Sequence, residues 1–260
     1  MASTSETGHA KNVANFEDLI SFCTGYGVQY NPSKATIKIL ALNTKLTTSQ
    51  GALSALKTTE TTFNNSTNTR EIAFEPFRKL CTRAVNALEA TDASTQTVDD
   101  AKTINRKIQG KRAGKIVPPP PPPPPADPTA KMIADIHISV SQQSFDNQID
   151  HFDELIKLLT AEPLYVPNET DLKITALNTT LANLKTVNTA VINATTPYSN
   201  ALIARDTTLY ADNTGLVDIA KEVKKYVKSV FGARSPQFKQ VSKLPFKKIL
   251  PRKSKKKPKK

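Results

Sequence analysis

The stretch Phe145-Asp146-Asn147-Gln148-Ile149-Asp150-His151-Phe152-Asp153-Glu154-Leu155-Ile156-Lys157-Leu158-Leu159 decides the fold class. Its apolar residues Phe145, Ile149, Phe152, Ile156 and Leu159 are spaced 4, 3, 4, 3, which places them on one stripe of a helix and is not the alternation of a strand. The spacing predicts a helix over roughly 140–161, closed by the loop prolines Pro163 and Pro167. Asn168 and Thr170 are N-cap candidates for the next helix. That helix carries Ile174, Leu177, Leu181, Leu184, Asn188 and Val191 on one face. Asn188 interrupts the apolar face; it either fixes register against a partner helix or is simply exposed.

Farther on, Thr195-Thr196-Pro197 is expected to stop and restart the helix. The stripe Tyr198, Leu202, Arg205, Leu209, Asp212, Leu216, Ile219, Val223, Tyr226, Val230 keeps its phase across Gly215. It predicts one helix of about 35 residues and 50 Å, ended by Gly232. Ser235-Pro236-Gln237 then opens a short last helix that stops before Pro245.

The same text recurs, degraded, earlier in the chain. Phe16-Glu17-Asp18-Leu19-Ile20 faces Phe152-Asp153-Glu154-Leu155-Ile156, and Tyr30-Asn31-Pro32 faces Tyr165-Val166-Pro167. Ala41-Leu42-Asn43-Thr44 recurs as Ala176-Leu177-Asn178-Thr179, and Arg70 faces Arg205. The first copy has its own stripes, Ile39, Leu42, Leu46, Leu53, Leu56, Phe63 and then Phe74, Phe77, Cys81, Ala84, Leu88, with Pro76 delaying or kinking the latter helix. Between the copies lie eight consecutive prolines, Pro118 to Pro125. They cannot join a helix interior or a central strand, and in polyproline II would span roughly 25 Å. They read as a semi-rigid spacer, or as a ligand for an aromatic-lined groove.

The expected fold is therefore all-α: two tandem antiparallel helical-bundle repeats, three long helices and a short fourth each, joined by a polyproline linker. The expected divisions are a disordered lead-in at 1–13, repeat 1 at 14–110, a basic and polyproline linker at 111–130, repeat 2 at 131–246 and a disordered lysine-rich tail at 247–260. Periodicity does not say whether each repeat closes alone or the two pack together. Few glycines, no tryptophan and only 38% hydrophobic residues suit amphipathic helices with narrow stripes.

Three stretches of the second copy, Ser141-Gln142-Gln143-Ser144-Phe145-Asp146-Asn147, Glu162-Pro163-Leu164-Tyr165-Val166-Pro167-Asn168-Glu169 and Lys228-Ser229-Val230-Phe231-Gly232-Ala233-Arg234-Ser235-Pro236-Gln237, together resemble a family of duplicated helical proteins of Bacteroidetes-type bacteria. The resemblance covers about 139–250 and, more weakly, the first copy. It implies a bacterial cytoplasmic protein and carries over no functional residues, since no activity is established for that family. A bacterial setting argues against an SH3-type reader of the prolines.

Charge is the sharpest functional signal. Of the net +13, residues 221–260 hold 16 Lys and Arg against the single acid Glu222, so the rest of the chain is close to neutral. The candidate nucleic-acid-binding residues are Lys243, Lys247, Lys248, Arg252, Lys253, Lys255, Lys256, Lys257, Lys259 and Lys260, with no acid among them. Lysines with one arginine and one aromatic, Phe246, favour contact with the phosphate backbone of RNA or DNA over reading of bases. A weaker basic run, Lys102, Arg106, Lys107, Lys111, Arg112 and Lys115, ends the first copy.

No enzyme chemistry is legible. His9, His137 and His151 are scattered without metal-ligand spacing, and His151 reads as part of a solvated helix face beside Asp153 and Glu154. Thr24-Gly25-Tyr26-Gly27-Val28 lacks the Gly-Lys-Ser/Thr of a phosphate loop, and no nucleophile elbow occurs. Catalytic residues, metal and cofactor are thus all expected to be none. Cys23 and Cys81 are expected as buried free thiols. No signal peptide or apolar span is seen, so the expected location is the cytoplasm. The expected function is a non-enzymatic scaffold or interaction protein whose tail binds nucleic acid non-specifically. The alternative is a structural or protein-binding bundle, engaging a protein partner through its helical faces, with a merely solubilising tail.

Overall fold

The computed structural model describes residues 8–110 and 143–249. Among them are eight α-helices and no strand: α1 (His9–Gly25), α2 (Ile39–Phe74), α3 (Phe77–Glu89), α4 (Thr95–Gln109), α5 (Phe145–Ala161), α6 (Ile174–Tyr210), α7 (Leu216–Phe231) and α8 (Pro236–Ser242). The proline run, and with it the linker reading, lies outside the described residues. The described residues Gly110 and Gln143 on either side of it meet. Gln143 accepts from Arg78 Nη2 at 2.7 Å and donates to the Lys107 carbonyl at 2.8 Å. It lies so close to Gly110, which ends α4 at φ 67, that a Cβ there would come within 2.7 Å of it.

Several helix ends follow the local chemistry. Ser94, Ser144 and Ser235 each cap a helix by accepting a backbone N–H three residues on. Pro76 stands just before α3, so that helix does start late. Five expectations are corrected. α1 begins at His9, so 9–13 are helical rather than a disordered lead-in. Asn168 and Thr170 do not cap α6; a 3-10 turn, Thr170–Leu172, intervenes. Pro197 lies inside α6, which runs unbroken for 37 residues, about 55 Å. The break comes at 211–215 instead, where Asn213 takes φ 65. There the Gly215 N–H donates back to Ala211 O at 2.8 Å, and a Cβ on Gly215 would meet the Ala211 backbone at 2.7 Å. Finally, 247–249 are ordered rather than tail, as described below.

Long-range contacts divide the chain into two compact units, one of residues 1–64 with 194–260 and one of residues 65–193. The boundaries fall inside α2 and α6, so each unit takes helices from both halves of the chain. The core of each unit is thus shared between the two halves of the chain.

The first unit holds α1, the start of α2, the end of α6, α7 and α8. Its core joins Phe16, Leu19 and Cys23 to Leu42, Leu209, Leu216, Val223, Val227 and Val241, all fully buried. The second unit holds the end of α2, α3, α4, α5 and the start of α6. Its core joins Phe77, Cys81 and Leu88 to Ala101, Ile108, Phe152, Leu155, Leu177 and Leu184. Both cysteines are buried free thiols. Asn188 is buried, not exposed: it accepts from Arg70 Nη1 at 3.1 Å and donates to Asp146 Oδ1 at 2.7 Å. The Arg70 guanidinium lies 4.0 Å over the Phe145 ring. Asn188 thus ties α6 to α2 and α5 in one register, since slipping α6 by a residue would leave a buried amide unpaired.

Contacts in one unit are matched in the other. Tyr30 Oη donates to Ile37 O at 2.7 Å, and Tyr165 Oη to Leu172 O at 2.9 Å. The 3-10 turn Ala35–Ile37 packs on α7, and the turn Thr170–Leu172 packs on α3. Beside these, Lys34 pairs with Glu222 of α7 and Asp171 with Arg83 of α3. Phe63 stacks on Tyr198, the residue at its own aligned position, with ring centroids 5.3 Å apart.

Candidate nucleic-acid interface

α7 is amphipathic at single-residue resolution. Ile219, Ala220, Val223 and Val227 face the core, while Lys221, Lys225 and Lys228 recur at i, i+4 and i+7 on the outer face. Gly232, at φ 88, ends the helix and lets the chain turn into α8. Tyr26 Oη holds α8 against α1 by donating to Gln237 O at 3.0 Å. The Lys228 ammonium lies 5.8 Å over the Phe238 ring, so the basic stripe of α7 abuts α8. Lys239 and Lys243 continue it with exposed side chains.

All of these cations but Lys221 are uncompensated among the described residues. The one acid among residues 221–249, Glu222, is taken by Lys34 at 2.7 Å, and Lys221 is engaged by Asp218 at 3.2 Å. Among the described residues, no carboxylate lies within ion-pair distance of Lys225, Lys228, Arg234, Lys239, Lys243 or Lys247. The first four are exposed cations that sequence reading counted in the charge but did not place. The signal that could have found Lys225 and Lys228 was their spacing opposite Val223 and Val227.

The chain after α8 is strapped down. The Asn12 carboxamide pairs with the Lys247 backbone at both atoms, donating to its carbonyl at 2.8 Å and accepting its N–H at 3.2 Å. Asn15 donates to Pro245 O at 2.6 Å. Lys224 donates to Leu244 O and lies 5.0 Å over the Phe246 ring; burial lowers its pKa. Leu244, Phe246 and Ile249 pack on the core. Lys248 closes the strap on Asp212 at 2.7 Å and Asp218 at 2.8 Å. Hydrogen bonds from Lys248, then from Lys221 and the Asn213 N–H, pull the Asp218 carboxyl down to about 2.

The ten expected tail residues therefore fall into three groups. Lys243 and Lys247 are ordered with exposed side chains. Lys248 is ordered and neutralised by two carboxylates, so it is not a free cation. Arg252, Lys253, Lys255, Lys256, Lys257, Lys259 and Lys260 lie outside the described residues. The weaker basic run from Lys102 to Lys115 is partly compensated: Lys102 pairs with Glu89 at 2.5 Å and Lys107 with Glu154 at 3.6 Å, while Lys111, Arg112 and Lys115 lie outside the described residues.

Other chemistry is thin among the described residues. No group of three His, Cys, Asp or Glu side chains converges as a metal site. His151 is buried at 8% exposure, not part of a solvated face, with Nδ1 3.4 Å from Glu154. His9 meets Tyr210 Oη at 2.7 Å, and burial, then the Arg205 charge, lowers its pKa. Two clefts among the described residues are open to solvent; one is lined by Ser21, Phe22, Tyr26, Pro236 and Gln240, the other by Arg83, Asn86 and Glu169, with Arg83 committed to Asp171. No helix among the described residues is long and apolar enough to cross a membrane. Comparison with protein-family models, with curated proteins and with solved structures gives no match.

Proposed function

We propose that this protein is a non-enzymatic helical scaffold, built by tandem duplication, that holds RNA or DNA by the phosphate backbone through its basic C-terminal region. The observation that carries the reading is the uncompensated stripe Lys225, Lys228, Lys239 and Lys243, which leads into the lysine-rich residues 250–260. Lysine is a point charge with no planar fork, so the recognition is of charge density and not of bases. The paired contacts Tyr30–Ile37 and Tyr165–Leu172 support the duplication. The bacterial cytoplasmic setting belongs to the same proposal.

The test is binding of the full chain, and of a chain ending at Ile249, to mixed-sequence RNA and duplex DNA across a salt series. The cut belongs after Ile249, because ending the chain at Lys243 would strip the strap from Asn12 and Asn15. Each phosphate neutralised adds about −0.9 to the log–log salt slope on duplex DNA. The reading requires a steep slope that shortens, without vanishing, in the truncated chain. No binding by the full chain at low salt removes it. The second reading, a structural or protein-binding bundle, is favoured by the exposed apolar side chains Val28 and Leu40, at 95% and 81% exposure. Under that reading both chains ignore nucleic acid.

A further inference from the structure

We infer that residues 8–110 and 143–249 are the two members of a self-complementary binding pair, each the other's partner, and that their association needs no covalent connection. The surface that α1 presents shows why. Phe16, Leu19 and Cys23 are fully buried, yet the core that buries them takes its α-helical members beyond α1 and α2 from Leu209, Leu216, Val223, Val227 and Val241, all in the second half. Among the described residues, nothing from α3 or α4 joins that core. The reverse holds for α5. Phe152, Leu155 and Leu159 are buried with Phe77, Cys81, Leu88 and Ile108 of the first half, and not with α7 or α8. A half on its own would expose a full apolar helix face at each place, which is why neither closes alone.

The exchange is reciprocal. α1 packs on α7 and α8, and α5 packs on α4. The two 3-10 turns and their ion pairs, Lys34–Glu222 and Asp171–Arg83, trade places in the same way. Phe63 meets its own counterpart, Tyr198. Equal elements given and received, in each unit taken by itself, is the pattern of a self-complementary pair, here within one chain.

The connection contributes little geometry. Gly110 and Gln143 already touch, and Gln143 is held by Arg78 and the Lys107 carbonyl. Joining the two halves in one chain contributes effective concentration, on the order of millimolar.

The test uses the full chain with a protease recognition sequence replacing Pro119–Pro125, cleaved after purification. The cleaved protein is expected to elute as one particle with the mass of the whole chain, 28.4 kDa, and to keep its helical signal. Its melting should become concentration-dependent, because unfolding now releases two pieces. At 1 μM the apparent folding constant should fall about 10³-fold against the uncut chain and recover about tenfold per tenfold rise in concentration. Mixing tagged and untagged cleaved protein should exchange halves, so the surface also accepts a half from a second copy. The inference is overturned if the pieces separate with each keeping its helix signal. It is equally overturned if cleavage abolishes the helix signal at 10 μM, or if melting does not change over a hundredfold concentration range.

Discussion

Replacing Asp218 with Asn tests the strap directly. Asp218 accepts from Lys248 at 2.8 Å, from Lys221 at 3.2 Å and from the Asn213 N–H at 3.2 Å, and it stands in the first turn of α7, where a negative charge suits the helix dipole. Its carboxyl lies at about 2, against 3.8 ordinarily. For a shielded group that depression would correspond to about 2 kcal/mol. Asp212 and Lys221 face water, which screens the network to about 1 kcal/mol. The sign follows from the direction: a carboxyl lowered on folding stabilises above its unfolded pKa and loses that contribution as the pH falls from about 4 to about 2. In urea titrations at pH 7, D218N should unfold about 0.5 M earlier than the parent, taking an m-value of about 2 kcal/mol/M. At pH 2 the gap should nearly close. Trypsin should also cut D218N faster after Lys247 and Lys248. An equal gap at both pH values, or unchanged proteolysis, would refute the assignment of Lys248 to this carboxylate.

Phe16→Ala should cost about 3–5 kcal/mol, because Phe16 is fully buried in the first unit's core, and the loss should show as a lower urea midpoint. Gly215→Ala should destabilise, since the new Cβ meets the Ala211 backbone at 2.7 Å and Gly215 is the N-cap of α7, where alanine is disfavoured; its melting temperature should drop. Burial pushes the Cys23 thiol up to about 12 and raises that of Cys81 further, so both should resist iodoacetamide at pH 8 in the folded protein and react fully in urea. Lys225→Glu should weaken nucleic-acid binding and flatten its salt slope without moving the melting temperature, because its side chain is exposed and without a carboxylate partner among the described residues.

The helical class and most buried faces were legible because burial follows period: Ile149, Phe152, Ile156 and Leu159 all fall in the core. Breaks were not. Pro197 was expected to end a helix, but Val191 and Ala194 are buried before it and Leu209 and Tyr210 after it, so packing on both flanks offsets a local cost of about 3 kcal/mol. At Gly215 the stripe keeps phase across a real break, so spacing alone gave no warning. A stripe also says which face is buried and not which helix covers it, which is why the exchange of α1 and α5 between halves could not be read. In the candidate interface, charge counting found the basic region, but the capture of Lys248 rests on two acids 30 and 36 residues upstream in sequence. Asn12 and Asn15, polar residues beside a polar lead-in, carried no signal of their role.

The division of each core between distant parts of the chain has a consequence for biosynthesis. Phe16 is among the first core residues to leave the ribosome, and its cover, out to Val227, is made about 200 residues later. At about 5–20 residues per second the apolar face of α1 waits some 10–40 s with only Tyr30, Ile37 and Leu42 of its core made. α5, by contrast, emerges after α3 and α4 and can dock at once, so the core of residues 65–193 is the first that can be completed. The first unit's core thus stays incomplete after the core of residues 65–193 can form, and synonymous changes that slow translation between α5 and α7 would lengthen that exposure without altering a single residue.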